Sequence, residues 1–403
     1  MCQTLGWHRL PAMQDETTDK KAGIFWFSYM LDKGLSLRFG RSSVIQDYDI
    51  SMPRRVGRIN VTDPWRTLLN LWIEHAELMG RSYEELYSPG AMARGPDQRL
   101  ESARLLIDSI KGMIHQTDEL ALTVKKEHEA SGPKDLDAKS WRDMTLECIL
   151  KADQVSYWSS LTLIYRAIPI QAGMPSRFNT ECIEAARLAF ECHQECIELT
   201  SGNPFMMAGY LHWYEEIAFL SSCCCCCCCC ERTLNPGVVG CALLTARNRT
   251  VLYSPFIPFI VLFCHVIETS DSEDLERLGL FVTTLQPVLS MSEAIEKLHR
   301  LCQVLYKVAA LYAEAKAQQE EDQDMNMVGN DFDVYLSQLG FITPQQPLDG
   351  PGGGGSFGNS ELPAASQASQ LNDWFSGNRR IMGLMEEDLS GFNPGVWSSI
   401  VGP

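Results

Sequence analysis

Apolar residues recur at spacings of three and four from near the amino terminus to about Gln319, without sustained strand-type alternation. Such a 3.6-residue period predicts an all-α body. The first predicted helix, Lys21 to Leu37, holds Ile24-Phe25-Trp26-Phe27 and Tyr29-Met30-Leu31 and is apolar on nearly every side, the pattern of a helix in the middle of a core. Truncating Trp26 there is expected to unfold the region. The turn-rich stretch from Gly40-Arg41 through Asp47, Asp49 and Pro53 reads as a connecting loop. A second helix opens at Asp63-Pro64, with Asp63 as cap and Pro64 at the first position, and runs to about Leu86.

A long amphipathic helix follows, with Leu100, Ala103, Leu106-Ile107, Ile110, Ile114 and Leu120-Ala121 on its stripe, ending before Ser131-Gly132-Pro133. The next carries Trp141, Thr145, Cys148-Ile149, Ala152, Val155, Leu161 and Tyr165 and stops before Pro169. Asn179 or Ser176 caps the one after it, whose stripe takes in Cys182, Ala185-Ala186, Ala189, Cys192 and Cys196. Val251 to Ile267 is too short and too interrupted by Pro255 and Pro258 to cross a bilayer, and reads as a buried helix. The last strong helix starts near Ser292, with Ile295, Leu298, Cys302, Leu305, Val308 and Tyr312 on one face.

Two segments break the period. Residues 215–250 contain an uninterrupted run of cysteines, Cys223 to Cys230, in a stretch without amphipathic pattern, and read as an irregular insert or a gene-model artefact. Adjacent cysteines cannot all reach one ion in tetrahedral geometry, and the remaining cysteines show no paired zinc spacing, so neither a metal site nor a cofactor is expected. From Glu320 onward the composition changes to an acidic, glycine-interrupted tail, expected to be disordered. Within residues 320–403, acids alternate with bulky groups around Phe332, Tyr335 and Leu336, and again around Trp374, Phe375, Leu384 and Leu389. Such a segment suits coupled folding onto a partner groove, as an activation segment does; docking back onto the helical body is the other reading.

The net charge of −17 speaks against this chain gripping phosphate backbones by itself. The start lacks the basic flank and apolar core of a secretory signal, which predicts an intracellular compartment. No nucleophile elbow, phosphate-cradling loop or H-E-x-x-H helix is present, so an enzyme is not expected. His193, His212 and His265 read as structural histidines, and Arg54-Arg55 with Arg58 as a solvated loop.

The strings Met1-Cys2-Gln3-Thr4-Leu5-Gly6-Trp7-His8-Arg9, Ile24 to Asp32, and Leu35 to Arg41, followed by Asp47, Asp49-Ile50 and Met52-Pro53, carry a family resemblance. The chain resembles the fungal binuclear zinc-cluster transcription factors, in the latter part of their middle homology region. The resemblance implies a nuclear regulator built on a helical region spanning residues 1–319 here and truncated at its start. DNA would be bound only through an upstream zinc cluster, the transcription machinery or coactivators through the acidic tail, and a small-molecule inducer within the helices; no membrane is involved. Phe25, Trp26, Tyr29, Leu31, Asp32, Gly40 and Arg41 are then the structural core of the family motif, with Asp32 and Arg41 expected to fix the loop by a charged hydrogen bond. A helical protein-interaction scaffold with no role at promoters is the alternative.

Overall fold

The computed structural model describes residues 2–10, 16–54, 64–130, 136–168, 178–201, 256–291 and 293–317. Among them the chain is all-α, without a strand: α1 Glu16–Arg38, α2 Pro64–Ser82, α3 Pro89–Met92, α4 Pro96–Ala130, α5 Leu136–Arg166, α6 Thr180–Thr200, α7 Phe256–Thr269, α8 Ser272–Leu285 and α9 Glu293–Ala317. Residues 215–250 and 320–403, with Asp63 and Ser176, lie outside the described residues.

The chain divides into two compact units, Met1–Val261 and Leu262–Pro403. In the first, α1 packs on α2, α2 on α4, α4 on α5 and α5 on α6. Its main core joins Phe25, Trp26, Tyr29, Met30 and Leu37 of α1 to Ile73, Ala76 and Met79 of α2 and Leu163 of α5. Ile45 and Met52, from the loop after α1, enter the same cluster. Leu68 of α2 meets Leu146, Ile149 and Leu150 of α5 in a smaller one. In the second unit α8 packs on α9, with the 3-10 turn Gln286–Met291 between them in sequence.

Local chemistry sets several ends. Gly40, at φ 59°, closes α1: its N–H reaches Leu37 O at 3.1 Å and the Arg41 N–H reaches Ser36 O at 2.9 Å. That pair of bonds needs a left-handed residue, which glycine supplies at least cost. Asn179 caps α6, its side-chain oxygen accepting the Cys182 N–H at 2.7 Å. Helix α2 was expected to run to about Leu86; it ends as an α-helix at Ser82 and continues as a π-helical turn, Tyr83–Tyr87. Helix α8 is an addition to the sequence reading. Among the described residues no helix is long and apolar enough to cross a membrane.

Candidate functional site

The residues of the family-like motif meet where the loop 40–54 folds back on α1 and α2. Phe25, Trp26 and Tyr29 are fully buried, whereas Leu31 and Asp32, on the adjoining face, are only half-buried. Phe25, Trp26 and Tyr29 pack edge-on, with ring centroids 5.2 Å apart for Phe25–Trp26 and 5.3 Å for Trp26–Tyr29. Such contacts add to area burial and fix ring orientation.

Against this aromatic floor lies Lys33, a charged side chain with no solvent exposure. Its ammonium donates to Ser43 Oγ at 2.9 Å and to Asp47 Oδ2, and sits 5.3 Å from the centre of the Tyr29 ring. Asp47 Oδ1 accepts the Tyr29 hydroxyl at 2.6 Å and lies 3.2 Å from Arg54 Nη2; Arg54 also pairs with Glu77 of α2. Burial, reinforced by the Asp47 hydrogen bond and charge, pushes the Tyr29 phenol upward, so it stays a donor. For Arg54, burial works to lower the guanidinium, but the Glu77 hydrogen bond and the surrounding negative charge outweigh it and hold it above its usual value.

Space for Lys33 comes from α2. A Cβ at Gly80 would lie 2.7 Å from Lys33 Cδ and 2.9 Å from Nζ, so the missing side chain is what admits the lysine. On the outer side, Asp32 accepts the backbone N–H groups of Val44 at 3.1 Å and Ile45 at 2.7 Å. Asp32 thus holds the loop through its backbone, not through Arg41, whose guanidinium lies over the Phe39 ring at 4.9 Å. The amino-terminal 3-10 turn Trp7–Arg9 completes the clasp: His8 Nε2 is 3.2 Å from Asp49 Oδ2, Arg9 pairs with the same carboxylate, and His8 O accepts the Ser51 N–H at 3.1 Å. The Arg9 hydrogen bond holds the Asp49 carboxyl below its usual range. Lys33, Asp47, Asp49, Arg9, Arg54 and Glu77 each meet an opposite charge, so the chemistry is that of a clamp that fixes where the loop lies.

A second polar seam runs between α2 and α5. Trp72 Nε1 donates to Asp153 at 2.7 Å, and His75 Nε2 lies 2.9 Å from Ser160 Oγ with its ring edge-on to Tyr157 at 4.8 Å. Burial pushes the Asp153 carboxyl up to about 8, against the opposing pull of the Trp72 N–H. Burial, with the nearby Arg38 charge, lowers His75 to about 3, and burial lowers His193 on α6 to about 4. Both imidazoles are therefore neutral near neutral pH.

The cysteine stripe of α6 is packed: Cys182, Cys192 and Cys196 are buried and form no disulfide. Burial pushes Cys182 up to about 12 and Cys192 up to about 11, which keeps both as thiols. Sequence reasoning passed over Lys33, Ser43, Gly80 and the Trp72–Asp153 pair. A lysine in the middle of an all-round apolar helix was the available signal for the first. Phe332, Tyr335, Leu336, Trp374, Phe375, Leu384 and Leu389 lie outside the described residues. No family model, curated protein or solved structure matches the chain.

Proposed function

We propose that this chain is the regulatory and effector region of a transcription regulator of the fungal zinc-cluster type, working in the nucleus. The helical body would act as the restraining element and the segment 320–403 as the surface that recruits coactivators. What carries the reading is the clasp: the stretch that resembles the family's middle region, from Cys2 to Pro53, is held by ionic contacts at Lys33–Asp47, Arg54–Glu77 and Arg9–Asp49. A charged clamp that positions a loop suits a transmitting element better than a catalytic one. A small-molecule inducer would act by shifting the balance between two arrangements of such an element.

The test fuses residues 320–403, and separately the full chain, to an unrelated DNA-binding domain upstream of a reporter. The tail fusion should activate, joint replacement of Phe332, Trp374 and Phe375 by alanine should abolish that, and the full-chain fusion should activate less than the tail alone. A tail fusion no more active than the bare DNA-binding domain refutes the reading and leaves the helical scaffold as the better account.

A further inference from the structure

The corner between α7 and α8 gathers a second constellation, independent of the clasp. His265 sits near the end of α7; Ser270, with φ 58°, turns the chain; Asp271 caps α8, its Oδ1 accepting the Asp274 N–H at 2.9 Å. These steps bring one imidazole nitrogen of His265 and one carboxylate oxygen from each of Asp271 and Asp274 within 4.8 Å of one another. Asp274 is wholly buried, its Oδ2 being 2.9 Å from His265 Nδ1 and its Oδ1 accepting Arg277 Nη1 at 2.9 Å. Arg277 also lies 3.7 Å from Glu273.

Charge makes the corner unusual. Residues 268–277 carry Glu268, Asp271, Glu273, Asp274 and Glu276 against Arg277 alone. Buried carboxylates are costly unless compensated, and Asp274 has His265 on one oxygen and Arg277 on the other. The first turn of α8 offers partial positive charge, but the carbonyl end of α7, at the same corner, offers partial negative charge.

We propose that His265, Asp271 and Asp274 form a binding site for a divalent ion of the zinc class. One nitrogen and two carboxylate oxygens are a donor set for zinc, with water in the fourth position. Calcium and magnesium, which take six or more oxygen ligands, suit it poorly. On binding, His265 ligates through an unprotonated Nδ1: solvent takes the Nδ1 proton and returns one to Nε2, so the imidazole stays neutral. Arg277 remains on Oδ1 of Asp274 as the outer partner that orients the ligand. The ion pins the end of α7 to the start of α8.

Cobalt(II) titration of the full-length chain tests this when read as the difference between the parent and His265→Gln, because thiolates of the Cys223–Cys230 run give visible bands together with near-ultraviolet charge transfer, whereas nitrogen and oxygen ligation gives visible d–d bands alone. Expected in that difference are visible bands without sulfur charge transfer, saturating at one equivalent, with the affinity weakened at least tenfold by Asp271→Asn, which keeps a capping oxygen. A flat difference spectrum overturns the proposal. With 15N-labelled histidine in the parent chain, one imidazole Nδ1 resonance, absent from His265→Gln, should move on adding Zn2+. If that resonance stays still, the proposal fails whatever the variants do.

Discussion

Gly80 and Gly112 both occupy helix interiors, yet they should respond oppositely to alanine. A Cβ at Gly112 of α4 meets nothing within 4 Å, so Gly112→Ala gains only helix propensity, about 0.5–1 kcal/mol. At Gly80 the same methyl collides with Lys33, which Ser43 and Asp47 hold in place, and overpacking should cost roughly 1–3 kcal/mol before that gain is counted. Urea unfolding of the two variants checks the contrast in sign. Asp153 makes the second prediction at this scale. Its folded-state carboxyl, raised from 3.8 to about 8, binds a proton that the unfolded chain releases, so its contribution falls as pH rises through that window. Asp153→Asn keeps an acceptor for Trp72 Nε1 and does not ionise. Its stability relative to the parent should therefore climb from about pH 4 to about pH 8 and then level off, as denaturant midpoints across that range would show.

Among the elements, the loop 40–54 depends on paired charges. Asp47→Ala strips the partner from a fully buried ammonium and should destabilise the first unit by about 3–5 kcal/mol. Replacing Lys33 by methionine and Asp47 by asparagine together removes both charges and should recover much of the loss. A double variant no more stable than Asp47→Ala would mean that Asp47 works mainly through Tyr29 and Arg54. Hydrogen exchange of residues 40–54 should quicken in the single variant before global unfolding does.

Across the first unit of the molecule, three buried groups set a pH optimum. Between about pH 4 and 6.5, unfolding takes up protons at His75 and His193 and releases one from Asp153, a net uptake, so stability rises with pH. Above 6.5 the unfolded-state histidines lose their protons, the uptake dwindles and the Asp153 release outweighs it, so stability falls towards about pH 8. Stability from these groups should peak near pH 6.5, and Asp153→Asn should flatten the alkaline side. Chemical denaturation at closely spaced pH values tests both limbs.

Helix existence, the Asn179 cap, the Gly40 stop and the packed α6 cysteines were legible in the sequence, because each follows from residues within a few positions of one another. Helix α8 was not read from the sequence, although Leu278, Phe281, Val282 and Leu285 keep helical spacing behind the capping Asp271. Tertiary structure alone decided which polar groups meet across helices. Trp72 and Asp153 are 81 positions apart and His75 and Ser160 are 85 apart, so no local pattern couples them. Lys33 could be buried only because Gly80 of a different helix leaves room and Asp47 returns from a loop. Periodicity records which face of a helix avoids water; which polar group crosses that face depends on what the neighbouring helix places opposite it.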